Sequence, residues 1–113
     1  MEIDVLQGLQ KPDLFQKFKT QVHKDFELAG VVEYLPNLDS NNLDQLKQEF
    51  LNSILKLEIS NALKNLLYRI DITELQIKQA AQKNQEVSLQ EILAELMIKR
   101  ILQKVVLKDL YSK

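Results

Sequence analysis

The chain has 113 residues, of which 45% are hydrophobic and 27% charged, and carries a net charge of −1. Such a chain is long enough for a core of its own, too apolar for the disordered class, and too near neutrality for a general pull toward nucleic acid or anionic membrane. It contains no Cys, which excludes disulfides, thiolate nucleophiles and Cys-ligated metal centres, and its two Gly and two Pro predict long helices rather than strands joined by tight turns.

The opening MEIDVLQGLQ has acids where a signal peptide has bases, and no run approaches the ~20 apolar residues of a membrane helix. A cytoplasmic location without membrane insertion is therefore expected. Residues 1–10 show no strong period and are interrupted by Gly8, so they read as an N-terminal arm to a single helical domain spanning 1–113, with Ile3, Val5, Leu6 and Leu9 packing on its surface.

Pro12 and Asp13 mark a helix start, because proline suits the first turn and an acid there meets the positive end of the helix dipole. Phe15, Phe18, Val22, Phe26 and Ala29 follow at three- and four-residue spacing, and Gly30 is the natural stop, which gives a first main helix at about 12–29. The segment VVEYLPNLDS, broken by Pro36, reads as a connection whose Val32, Tyr34, Leu35 and Leu38 cover one end of the core.

Ser40, Asn41 and Asn42 offer three N-caps before a second main helix at about 41–70, with Leu43, Leu46, Phe50, Ile54 and Leu57 in one stripe. The stripe broadens after Leu55, and the pattern reads as one long helix with Ser60-Asn61 as its weak point. Asp71-Ile72-Thr73-Glu74 has the spacing of a capping box and predicts a shorter helix at about 72–84. Ser88-Leu89-Gln90-Glu91 repeats that spacing and opens the last main helix, at about 88–110.

This terminal helix is apolar on two faces. At about 100° per residue, Leu89, Ile92, Leu93 and Leu96 gather on one side with Leu107 and Leu110, and Ala94, Ile98, Ile101 and Val105 on the other with Leu102 and Val106. A surface helix needs only one stripe, so this one is either the central post of a small bundle or half of a homodimer seam. The two-faced second helix tips the balance toward the post. The fold class expected is all-α, a small helical bundle of three main helices and one shorter one.

Few residues point to chemistry. His23 is the one histidine, with Glu27 at i+4 as a two-ligand face or, more simply, a solvated surface pair. Glu91 and Glu95 have the spacing of a carboxylate pair, but the Glu-x-x-His of di-iron bundles is absent. With no glycine-rich phosphate loop and no triad, no enzyme activity and no cofactor are expected.

The helices at 72–84 and 88–110 resemble a helix-turn-helix in spacing alone. The second would present Leu89, Gln90, Glu91, Ile92 and Glu95 where phosphates demand cations, which argues against DNA. Lys99, Arg100, Lys104, Lys108 and Lys113 cluster near the C-terminus, where they complement the helix dipole; with Tyr111 the one aromatic beside them, they make a poor RNA surface.

The segment around Tyr68, Arg69 and Asp71 is the most suggestive. Arg100 falls within the first apolar stripe of the terminal helix and needs a carboxylate, with Asp71 or Asp25 as the nearest choices. Tyr68, Arg69 and Arg100 can form an anion pocket, or Arg100 can form a structural ion pair that sets helix register. The expected function is accordingly a non-enzymatic interaction or regulatory domain, working through a protein partner or self-association on an apolar helix face. A small-ligand or anion-binding domain at Tyr68, Arg69 and Arg100 is the alternative.

Overall fold

The computed structural model describes residues 4–111. Its elements are α1 (Val5–Gln10), α2 (Pro12–Leu28), a single 3-10 turn (Val32–Tyr34), α3 (Leu43–Ile59), α4 (Leu63–Ile70), α5 (Glu74–Lys83) and α6 (Leu89–Tyr111). Among the described residues there is no strand, so the molecule is an all-α helical domain.

Helix α6 is the post around which the rest is built. Its 23 residues span about 34 Å at 1.5 Å per residue, close to the longest dimension of the molecule, 38 Å. It packs against each of the other five helices. Leu93, Met97, Ile101, Ala94, Val105, Ile98 and Leu102 are all buried, and together they sweep across half of the helical wheel. The expected second face is the drier one. The first is buried at Ile92 and Leu93 but exposed at Leu89 and Leu110, near the two ends of the helix.

The predicted stripes of α2 and α3 form the walls. Phe18, Val22 and Phe26 on α2 and Leu46, Phe50, Ile54 and Leu57 on α3 are in one core cluster with the α6 residues. Phe18 and Phe50 join the two walls, their ring centroids 6.4 Å apart. In the connection it is Val31, not Val32, that enters the core, with Tyr34, Leu35 and Leu38 packed beside it. Of the three candidate caps, Asn42 caps α3 by accepting from the Gln45 amide at 3.0 Å.

Within the expected N-terminal arm, Val5–Gln10 form a helix that Gly8 does not interrupt; residues 1–3, including Ile3, lie outside the described residues. Asp4 caps this helix by accepting from the Gln7 amide at 3.1 Å, and Asn41 ties it down by donating to the Leu9 carbonyl at 3.2 Å. Gly8 permits the docking instead of ending the helix. A Cβ there would lie 2.9 Å from Leu102 Cδ2 and 3.4 Å from Leu14 Cδ2, so a larger residue would have to push the Leu102 methyl group aside for α1 to lie this close to α6.

The continuous helix expected at 41–70 is two helices. Asn61 takes a left-handed conformation (φ 59°). Its amide bonds to the Glu58 carbonyl, and the Ala62 amide reaches back to Leu57 at 2.9 Å, the pair of bonds that defines a Schellman ending. The same ending closes α2 at Gly30 and α4 at Asp71, through the pairs Gly30–Glu27 with Val31–Phe26 and Asp71–Tyr68 with Ile72–Leu67. In each case the residue after the left-handed one is apolar and joins the core cluster or packs on it.

Asp71 therefore ends α4 and does not begin α5. The capping box is two residues later than expected: Thr73 accepts from the Gln76 amide while the Gln76 side chain accepts from the Thr73 amide. Ser88 caps α6 as expected, accepting from the Glu91 amide at 3.2 Å.

Left-handed backbone costs about 1–2 kcal/mol at a residue without the local side-chain bonding of Asn or Asp. Asn61→Val is accordingly expected to destabilise by about 1–2 kcal/mol, read from urea unfolding followed by circular dichroism. An unchanged midpoint would show that the α3–α4 corner does not depend on that conformation.

Candidate functional site

Helix α4 turns away from α3 at Asn61, and α5 leaves α4 at Asp71. These two corners leave a groove between the end of α3, α4 and the start of α5, with a volume of about 690 Å³. Buried Leu57 and Ile72 and half-buried Leu63, Leu67 and Ile77 supply its apolar base. Exposed Glu58, Lys64, Tyr68, Asp71 and Glu74 stand around it.

The sequence of α4 accounts for this placement. In LKNLLYRI, Leu66 and Ile70 are fully buried, Leu63 and Leu67 flank them, and Tyr68 and Arg69 fall on the opposite side. Tyr68 is 87% exposed, much as Tyr111 is at 85%.

The structure brings together three of the four site residues read from the sequence. Tyr68 and Asp71 line the groove, and Arg100 reaches Asp71 from α6, its Nη2 donating to Oδ2 at 2.8 Å. Arg100 Nη1 also donates to Gln103 Oε1 at 3.2 Å, while its Nε is buried without a partner. Arg69 is exposed and does not line the groove. Any anion approaching Arg100 must therefore compete with a carboxylate already bonded to it.

The Asp71 side chain is 70% exposed, so this ion pair is screened and weak. Arg100→Met keeps the packed stem and removes the unpartnered Nε. Its stability is expected to lie within about 1 kcal/mol of the parent; a larger loss on thermal unfolding would mean that the pair holds the α4–α5 corner in place.

Asp25, the other candidate for Arg100, is occupied elsewhere. It is 1% exposed and accepts from Lys104 Nζ at 3.1 and 2.9 Å and from Gln21 Nε2 at 3.0 Å. Gln21 in turn accepts from Lys108 Nζ at 2.8 Å. Two cations of the basic end thus bond to α2, half-buried Lys104 and exposed Lys108. Sequence reasoning missed this ladder, although the signal was present: Lys104 and Lys108 fall on the wheel between Leu93 and Ile101, inside the buried sector, four residues apart like Gln21 and Asp25.

The remaining charged candidates are surface features. His23 Nδ1 and Glu27 approach to 4.0 Å on the exposed side of α2, and Glu95 pairs with Lys47 of α3 at 2.7 Å. Among the described residues no three His, Asp or Glu side chains converge as metal ligands do, and no helix is long and apolar enough to cross a membrane.

A second, wider cavity of about 860 Å³ lies between α2 and the end of α6. It is lined by Val105 and exposed Tyr111 together with polar residues, among them the bonded pairs Lys17 with Asp109 and Lys108 with Gln21. A partner docking there would have to cover or displace these bonded pairs. Comparison of the chain with protein families, curated proteins and solved structures finds no match.

Proposed function

We propose that this protein is a non-enzymatic helical binding module that docks a protein partner in the groove between α3, α4 and α5. The observation that carries the reading is Tyr68, a large ring 87% exposed at the edge of an apolar groove. Apolar side chains from a partner would find Leu57, Leu63, Leu67, Ile72 and Ile77 beneath them, and Tyr68 would lose most of its solvent contact. Surface of this kind contributes binding energy at about 25 cal/mol per Å² of apolar area removed from water, before the cost of association.

The test uses two exposed tyrosines. Tyr68→Asp and Tyr111→Asp each change a side chain more than four-fifths exposed, so both variants are expected to fold as the parent does. A protein that co-purifies with the parent from its native cell should be lost from Tyr68→Asp and retained by Tyr111→Asp. Retention by both variants would overturn the reading. Light scattering at micromolar concentration adds the case of a second copy: a dimer that Tyr68→Asp dissolves places self-association on the same face.

A further inference from the structure

We infer that the segment docked in this groove is an amphipathic helix carrying lysine or arginine beside its apolar face, an inference that rests on the groove's being the docking site. Charge carries it. The charged residues lining the groove are Glu58, Asp71 and Glu74 against Lys64, with Arg100 reaching Asp71 from α6.

This acidity is local and runs against its surroundings. Residues 51–113 hold ten bases and seven acids, yet three of those seven acids stand at this one groove. Asp71 is offset by Arg100, but Glu58 meets only the neutral amide of Gln90, at 3.3 and 3.5 Å. Glu74 forms no ion pair among the described residues. Glu58 and Glu74 are thus free to meet cations from a partner, against Lys64, which likewise forms no ion pair among the described residues. The excess is acidic and favours a partner with bases over one with acids there.

The backbone points to a helix. Addition of an extended strand needs an open sheet edge to bond its main chain, and the walls here are helices whose backbone groups bond within themselves. A helical segment satisfies its own backbone and offers apolar side chains at i, i+3, i+4 and i+7, the pattern that an apolar groove between helices accepts.

The chain contains no Trp, so one tryptophan in a synthetic peptide reports binding without background. Two peptides of about five turns share one leucine-rich face with that tryptophan and differ only in flanking residues, lysine in one and glutamate in the other. At about 50 mM salt the lysine peptide should bind about tenfold more tightly, and the preference should shrink severalfold at about 500 mM salt, where charges are screened beyond a few ångströms.

The double substitution E58K/E74K, at two exposed positions, should reverse the preference. Equal binding of both peptides, abolished by Tyr68→Asp, would overturn the charge inference and leave the groove reading standing. An unchanged preference in E58K/E74K would do the same, provided that Tyr68→Asp still abolishes binding. Failure of both peptides to bind, or binding indifferent to Tyr68→Asp, would overturn the two together.

Discussion

Phe50→Ala is expected to destabilise the protein by about 3–5 kcal/mol, the range for removing a buried aromatic ring. Phe50 is fully buried on α3 and faces Phe18 of α2, which stacks in turn on Phe15 with centroids 6.2 Å apart. Removing its ring leaves a void beside Phe18, in the core cluster shared by α2, α3 and α6. The helices that share this cluster also pack on one another elsewhere, α3 on α6 and α2 on α6, which limits how far the site can collapse.

Against a total stability of about 5–15 kcal/mol for a domain, the loss is a large fraction of the whole. The melting temperature should fall by about 10–25 °C, and urea unfolding should show a lower midpoint at unchanged slope. A loss under about 1.5 kcal/mol would mean that the aromatic cluster is loosely packed. A changed slope would mean that the substitution alters the compactness of one of the end states instead.

The second large effect concerns the buried carboxylate. Lys104→Met should cost about 3 kcal/mol, because it leaves Asp25 buried with one neutral amide donor in place of an ammonium and an amide. Asp25 is 1% exposed, so its carboxylate gains little from water in place of the lost ammonium. The Lys104 side chain is itself only 21% exposed, so solvent screens the pair little.

Replacing both partners tells attraction from desolvation. The double variant Asp25→Leu with Lys104→Met removes both charges, and a buried pair exchanged for apolar groups of similar size is often neutral or more stable. The expected result is therefore a double variant more stable than Lys104→Met alone. If the two losses simply add in a double-mutant cycle, Asp25 and Lys104 are not coupled and the ladder contributes nothing to α2–α6 docking.

The helix-forming stripes could be read in the sequence because side-chain burial there is periodic and local. Phe18, Val22 and Phe26 needed only the 3.6-residue repeat, Pro12 its fixed backbone angle, and Ser88 its three-residue spacing to Glu91. The position of α6 at the centre was also legible, since an apolar surface wider than one stripe must be covered from more than one side.

The candidate site was only partly visible. Tyr68, Asp71 and Arg100 stood out as residue types, and Arg100 on an apolar stripe called for a carboxylate. That Asp71 supplies it, while Asp25 goes to Lys104, depends on which helices lie side by side. The groove itself was not visible at all, because it exists only where α4 turns off α3.

Local sequence determined that the chain is helical, where α2 and α6 begin, and which side chains of α2 and α3 face inward; these follow from hydrogen bonding and periodicity within a few turns. Tertiary packing decided the corners. An Asn or Asp enters the left-handed conformation at a cost, and it does so at Asn61 and Asp71 because the next residue, Ala62 or Ile72, then packs on or into the core. That gain comes from the other helices, so the two corners, and with them the groove and Tyr68 at its edge, are properties of the packed molecule and not of any one segment.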